Sequence, residues 1–124
     1  MNEELKLPPA ISQYLRAVNS GDIDGFPSLF ADDALVKDVE RTIRGRDAIR
    51  KWARQDIFGV QARFEVVKVA GSNGSTVLTV KIDGTFDRSG LPDPLLMDHS
   101  FGIADGKITE LKVTFASDDP GREG

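Results

Sequence analysis

Two hydrophobic periods divide this chain near residue 60. Before that point apolar residues recur at helical spacing. Ile11, Tyr14, Leu15 and Val18 fall at i, i+3, i+4 and i+7, a single apolar stripe. Pro8-Pro9 suits a first helical turn, and Asn19-Ser20-Gly21 is a stop signal, so the spacing predicts a helix over 8–20. Asp22 or Asp24 can cap a second, shorter helix over 24–31. Pro27 lies in its first turn, Phe26, Leu29 and Phe30 form its buried face, and Asp32-Asp33 closes it as a solvated end. Residues 34–43 read as extended. Helical spacing returns over 46–58, where Ile49, Trp52, Ala53 and Ile57 share a face.

From Gln61 onward the period is two, and residues 61–70, 75–86, 95–104 and 107–116 read as strands. Gly71-Ser72-Asn73-Gly74, a loop with Gly90, Pro92 and Pro94, and an Asp105-Gly106 hairpin turn join them. Helices early and antiparallel strands late predict an α+β domain, with three N-terminal helices packed on one face of a curved antiparallel sheet. The stretch PLLMDHSFGI, residues 94–103, is unusual because it sets an acid inside an apolar strand. By strand alternation Leu96, Asp98 and Ser100 share one face, and Met97, His99, Phe101 and Ile103 the other. Asp98 and His99 therefore diverge and form no couple. An acid among leucines and methionine needs a partner or a use, so Asp98 is expected to face the interior. The opposite face, with His99 in a packing role, then suits a homodimer contact.

Composition narrows the class. The chain has 124 residues, with 40% hydrophobic and 29% charged, enough for one domain with a real core. The expectation is one domain over 1–124 with loose tails at 1–7 and 118–124. A net charge of −4 and the absence of a basic stripe argue against nucleic acid. With no cysteine and one histidine, neither disulfides nor a zinc site are expected, and no cofactor is implied. MNEELKLPP lacks the basic start and apolar run of a signal peptide, and no stretch has the length of a membrane span. A cytoplasmic protein without membrane contact is the expectation, which leaves Asn73-Gly74-Ser75 as a turn rather than a glycan acceptor. Gly102 to Lys107 lacks the spacing and the following Ser or Thr of a phosphate loop.

The stretch YLRAVNSGDIDGFPSLFADDALVKD, followed by GRDAIRKW, resembles the NTF2-like superfamily of cone-shaped α+β domains, which includes SnoaL-like proteins. Within it the likeness is greatest to the bacterial Δ5-3-ketosteroid isomerases, over roughly residues 10–116. Those enzymes carry a tyrosine on the first helix, where Tyr14 of SQYLRA stands. They carry a proton-shuttling aspartate in a short VxD strand, matched by Asp38 of VKD, and an oxyanion-stabilising aspartate in an apolar I-D-H stretch, matched by Asp98 of MDH. The chain departs from them at Val39, where they commonly have proline, and at Ala53, where they tend to have tyrosine.

The resemblance implies a cofactor-independent isomerase that moves a double bond into conjugation with a ketone on a steroid-like hydrophobic substrate. One carboxylate, Asp38, would take a proton from carbon and return it elsewhere. Tyr14 and a protonated Asp98 would stabilise the dienolate oxygen in a dry site. That the family keeps such an acid neutral by burial belongs to the resemblance; what this sequence adds is the apolar setting of Asp98. Asp98 is expected to point into an apolar pocket lined by Phe30, Trp52, Phe86 and Phe115, and the family's habit of dimerising supports the homodimer contact near His99, Phe101 and Met97. Alternatives within the superfamily are a SnoaL-like polyketide cyclase or hydratase, and a non-catalytic small-ligand-binding module.

Overall fold

The computed structural model describes residues 7–72, 75–87, 89–92 and 94–116. It is built from helix α1 (Pro9–Ser20), strands β1 (Phe30–Asp38) and β2 (Arg41–Arg44), helix α2 (Arg46–Ala53), and strands β3 (Arg63–Ser72), β4 (Ser75–Asp83), β5 (Leu96–Ala104) and β6 (Lys107–Phe115). The stop signal after α1 works as the sequence implies. Gly21 takes a left-handed φ of 74°, and the Asp22 N–H reaches back to the Ala17 carbonyl at 2.9 Å. Asn19 also clamps the helix end to β3. Its amide donates to the Phe64 carbonyl at 2.9 Å and accepts from the Phe64 N–H at 2.8 Å.

Among the described residues two α-helices form, not three. The segment expected as a helix over 24–31 makes only a 3₁₀ turn at Pro27–Leu29, and Phe30 already opens β1. The Asp32-Asp33 pair consequently lies exposed within a strand instead of closing a helix, and Asp32 pairs with Arg46 at 2.9 Å. The helix expected over 46–58 is α2 continued by a π turn, Arg54–Phe58.

The sheet has six strands in the order β2-β1-β6-β5-β4-β3. It is curved and mixed, not wholly antiparallel, because β1 runs parallel to β6 while the other pairs are antiparallel. The early extended segment therefore joins the late strands in one sheet, with α2 among the elements crossing between them. The β5–β6 hairpin turns through Asp105 and Gly106, at φ 54° and 77°, the paired left-handed conformation of a two-residue hairpin.

Alternation on β5 is the reverse of the expectation. Met97, His99 and Phe101 are buried, whereas Leu96, Asp98 and Ser100 are only half-buried on the other face. Register explains the choice. His99 stands between Leu78 of β4 and Val113 of β6, Met97 opposite Val80, and Phe101 opposite Leu111, all buried. Neighbours in one cross-strand row share a face, so all three strands present their core residues together. The dimer contact expected through Met97, His99 and Phe101 is thereby excluded, because those side chains are core. Ile103, past a register shift at Gly102, packs against the same core from a half-buried position. No helix among the described residues is long and apolar enough to cross a membrane. The loose tails expected at 1–7 and 118–124 lie, apart from Leu7, outside the described residues, as does the Asn73-Gly74 part of the β3–β4 turn.

Candidate active site

The row that places His99 continues to Asp38. Asp38 ends β1 opposite Val113, and Val113 in turn opposes His99. Two interstrand spacings, roughly 10 Å in all, separate Asp38 from His99 along one line of the sheet. Both line a cavity of about 330 Å³, within the size range of small-molecule sites. α1 contributes Tyr14 from its apolar stripe. The floor and walls are aliphatic and aromatic, with Ile57, Val60, Ile82, Leu91, Leu95, Met97, Phe64 and Phe86 among them. Val39 and Phe115 also line it while 47% and 46% exposed, which marks the mouth.

Asp38 is held by one oxygen only. The Trp52 indole N–H donates to its Oδ2 at 2.9 Å, and the Arg41 guanidinium donates to the same atom at 2.7 Å. Oδ1 has no hydrogen bond among the described residues, so the carboxylate is oriented yet has a free face. Arg41 also bonds Asp56, which the π turn brings into the cavity lining. π turns often occur at functional sites because they redirect side chains at small cost. Val39, next in the chain, has φ 58°, a strained conformation for a β-branched residue. Proline, which the ketosteroid isomerases commonly have here, cannot adopt it, so this hairpin turns in its own way.

At the other end the Tyr14 hydroxyl meets Nδ1 of His99 at 3.0 Å, and both side chains are fully or almost fully buried. Phe101 packs edge-on against the Tyr14 ring at 5.1 Å, and Phe64 edge-on against the His99 ring at 5.1 Å. Burial, with Asp38's negative charge a smaller cause, raises the Tyr14 pKa well above its ordinary value. Burial lowers His99 to about 4, against a smaller opposing pull from Asp38, so the imidazole is neutral near pH 7. Its Nε2 is buried without a hydrogen-bond partner among the described residues.

Of the expected site residues, Tyr14 and Asp38 share the cavity, with Trp52, Phe86 and Phe115 in its wall. Asp98 is a correction. It lies on the other face of β5 and its Oδ1 accepts a 2.6 Å hydrogen bond from the Thr79 hydroxyl, its neighbour across β4. Phe30 is a second correction, a core residue packed at a tilt against Phe26 with ring centres 5.2 Å apart rather than a lining residue. His99, assigned outward by the sequence reading, and Asp56, which that reading passed over, are the polar residues it missed. Among the described residues no three His, Asp or Glu side chains gather as a metal would need.

Residues 11–111 match the SnoaL-like domain family. The chain belongs to that family. Its likeness to solved SnoaL-like and NTF2-like structures covers nearly the whole chain. A putative polyketide cyclase from Sinorhizobium meliloti is 26% identical, with a TM-score of 0.79 over 90% of this chain and 99% of that one. A Δ5-3-ketosteroid isomerase from Mycobacterium sp. is 22% identical, with a TM-score of 0.70 over 87% and 91%. A Mycobacterium tuberculosis protein solved with estradiol-17β-hemisuccinate is 16% identical, with a TM-score of 0.73 over 89% and 93%. At 22% and 16% identity, the isomerase and the steroid-bound protein show that this SnoaL-like chain shares their fold.

Proposed function

We propose that this SnoaL-like protein is a cofactor-independent allylic isomerase acting on a steroid-like hydrophobic ketone. The observation that carries the reading is the half-tethered Asp38. Trp52 and Arg41 fix Oδ2, Oδ1 has no hydrogen bond among the described residues, and Asp38 and Tyr14 line the same apolar cavity. In the forward step Asp38 takes a proton from the carbon between the ketone and the β,γ double bond. The electron pair moves onto the ketone oxygen, which lies at the Tyr14 end of the cavity, where a hydrogen-bond donor in a dry setting stabilises it. The Asp38 carboxylic acid then returns the proton to the far carbon of the former double bond, giving the conjugated ketone. The apolar walls admit a ring system and exclude water, and the open mouth at Val39 and Phe115 gives access.

The test is turnover of a β,γ-unsaturated ketosteroid, read by the ultraviolet absorbance of the conjugated product. Asp38→Asn abolishes turnover and leaves binding of a phenolic steroid, read by Trp52 fluorescence, intact. Binding without turnover in the unaltered protein makes it a ligand-binding module instead. A second reading, a polyketide cyclase, has one specific observation in its favour. Asp56 is a second carboxylate on the cavity wall, joined to Asp38 through Arg41, so an acid and a base could act at once. A homodimer remains part of the proposal, through a surface other than the buried face of β5.

A further inference from the structure

We infer that Nε2–H of His99 is the group that hydrogen-bonds directly to the ligand's ketone oxygen, with the Tyr14 hydroxyl acting behind it as a positioning residue. The inference rests on the isomerase reading above and names the donor that reading leaves open. It starts from a count of protons. A neutral imidazole has one N–H and one bare nitrogen, and a phenol has one O–H. The two side chains share one hydrogen bond, at 3.0 Å. Whichever group donates within the pair, one donor and one acceptor are left over, so the couple offers a ligand a single hydrogen-bond donor.

The two arrangements are not equivalent. Phenol is the stronger acid and an imidazole nitrogen the better acceptor, so the Tyr14 O–H donates to Nδ1. That places the remaining proton on Nε2, fixing the tautomer from behind as histidine tautomers commonly are. Nε2 is also the atom of the pair left buried without a partner among the described residues. An unpaired buried donor is costly, and a ligand oxygen seated against it restores the lost hydrogen bond. The surroundings keep the ring neutral. Phe64, Phe101, Leu78 and Val113 surround it, and Asp38, two strands away, is the charged group that acts on it. A neutral imidazole is an effective donor to an enolate oxygen because it is not a strong enough acid to hand its proton over. In the reaction no proton leaves His99. The oxygen gains charge, the Nε2–H bond to it strengthens, and the proton that moves is the one carried by Asp38.

One histidine and one tryptophan in the chain make the test direct. Protein labelled with ¹⁵N in the histidine ring gives a single imidazole, and Trp52 in the cavity wall reports occupancy by fluorescence. The probe is progesterone, whose oxygens only accept hydrogen bonds. The expected spectrum of the free protein near neutral pH has Nε2 protonated and Nδ1 bare. Progesterone moves the Nε2–H proton strongly downfield and leaves Nδ1 bare. Tyr14→Phe then broadens or mixes the tautomers without abolishing binding, an effect that loss of packing alone does not give. In turnover, His99→Leu costs about 100- to 1000-fold, the usual loss for one oxyanion donor, and His99→Gln, which keeps an amide donor, costs less. A ring with Nδ1 protonated in the occupied protein overturns the inference and makes Tyr14 the direct donor, with the isomerase reading intact. So does a histidine spectrum unmoved while Trp52 reports occupancy. Fluorescence that shows no occupancy overturns the steroid reading and the inference together.

Discussion

Burying the only histidine as a neutral ring has a cost that appears on acidification. The His99 pKa falls from 6.5 to about 4 on folding, chiefly because burial disfavours the imidazolium. Above 6.5 the ring is neutral in both states and contributes no pH dependence. As pH falls through 6.5 the unfolded chain takes up a proton that the folded protein refuses, so stability is lost down to about pH 4, where both states are charged. The gap of about 2.5, at about 1.4 kcal/mol for each pH unit, gives a full loss of about 3 kcal/mol, with about 2 kcal/mol gone by pH 5. Against a typical domain stability of about 5–15 kcal/mol this is a large fraction. The assay is urea unfolding followed by Trp52 fluorescence at steps from about pH 7 to about pH 5, a range above the ordinary carboxylate values. His99→Gln, which has nothing to titrate there, should flatten the profile. Unchanged urea midpoints across that range in the unaltered protein, or an imidazole resonance titrating at its ordinary value in the folded state, would refute the burial argument.

The outward placement of Asp98 predicts that Asp98→Ala leaves progesterone binding and turnover unchanged and costs about 1 kcal/mol of stability, the worth of the Thr79 hydrogen bond, by urea unfolding. Val39→Gly should relieve the left-handed strain and raise stability by about 1 kcal/mol while slowing turnover, because the same turn fixes Asp38; a variant that is both less stable and equally active contradicts this. Tyr14 should show no phenolate absorbance while folded. Because its folded pKa is raised, stability should fall as pH climbs past 10, where the unfolded chain loses the proton first, and a tyrosinate signal in the native protein near that pH would oppose it.

Much of the fold was legible because it depends on period. The stripe Ile11, Tyr14 and Val18 is the buried face of α1, and the change to alternation after residue 60 marks β3 to β6. Two features were not legible. The segment after Gly25 is too short and too apolar for period to separate a helix from a strand. Its Phe30 and Val36 are buried by pairing with β6, a partner more than seventy residues away in sequence. The parallel sense of that pairing has no local signal, since it is set by how the chain crosses back and not by any residue in either strand.

The error at β5 had a different origin. Its alternation allows two assignments that differ by one residue, and such a slip sends every side chain to the opposite face. A short motif, MDH, favoured Asp98 inside; the size and apolarity of Met97 and Phe101 favoured the other set. The neighbouring strands decide between them. Leu78 and Val80 on β4, and Leu111 and Val113 on β6, are the apolar members of their own alternations, and the antiparallel register sets them beside Met97, His99 and Phe101. Burying Asp98 would have turned Met97 and Phe101 outward and set a carboxylate in the core, where desolvation opposes it. Thr79, directly across β4, offers that carboxylate a partner on the outer face. The polar group that the core does admit is the one that can be buried uncharged. A neutral imidazole with Tyr14 on one nitrogen leaves its other nitrogen buried and unpaired among the described residues, on a residue that lines the cavity Asp38 shares. On the proposed reading, the donor role that the motif gave to an acid falls to the next residue, the one whose side chain packs inward.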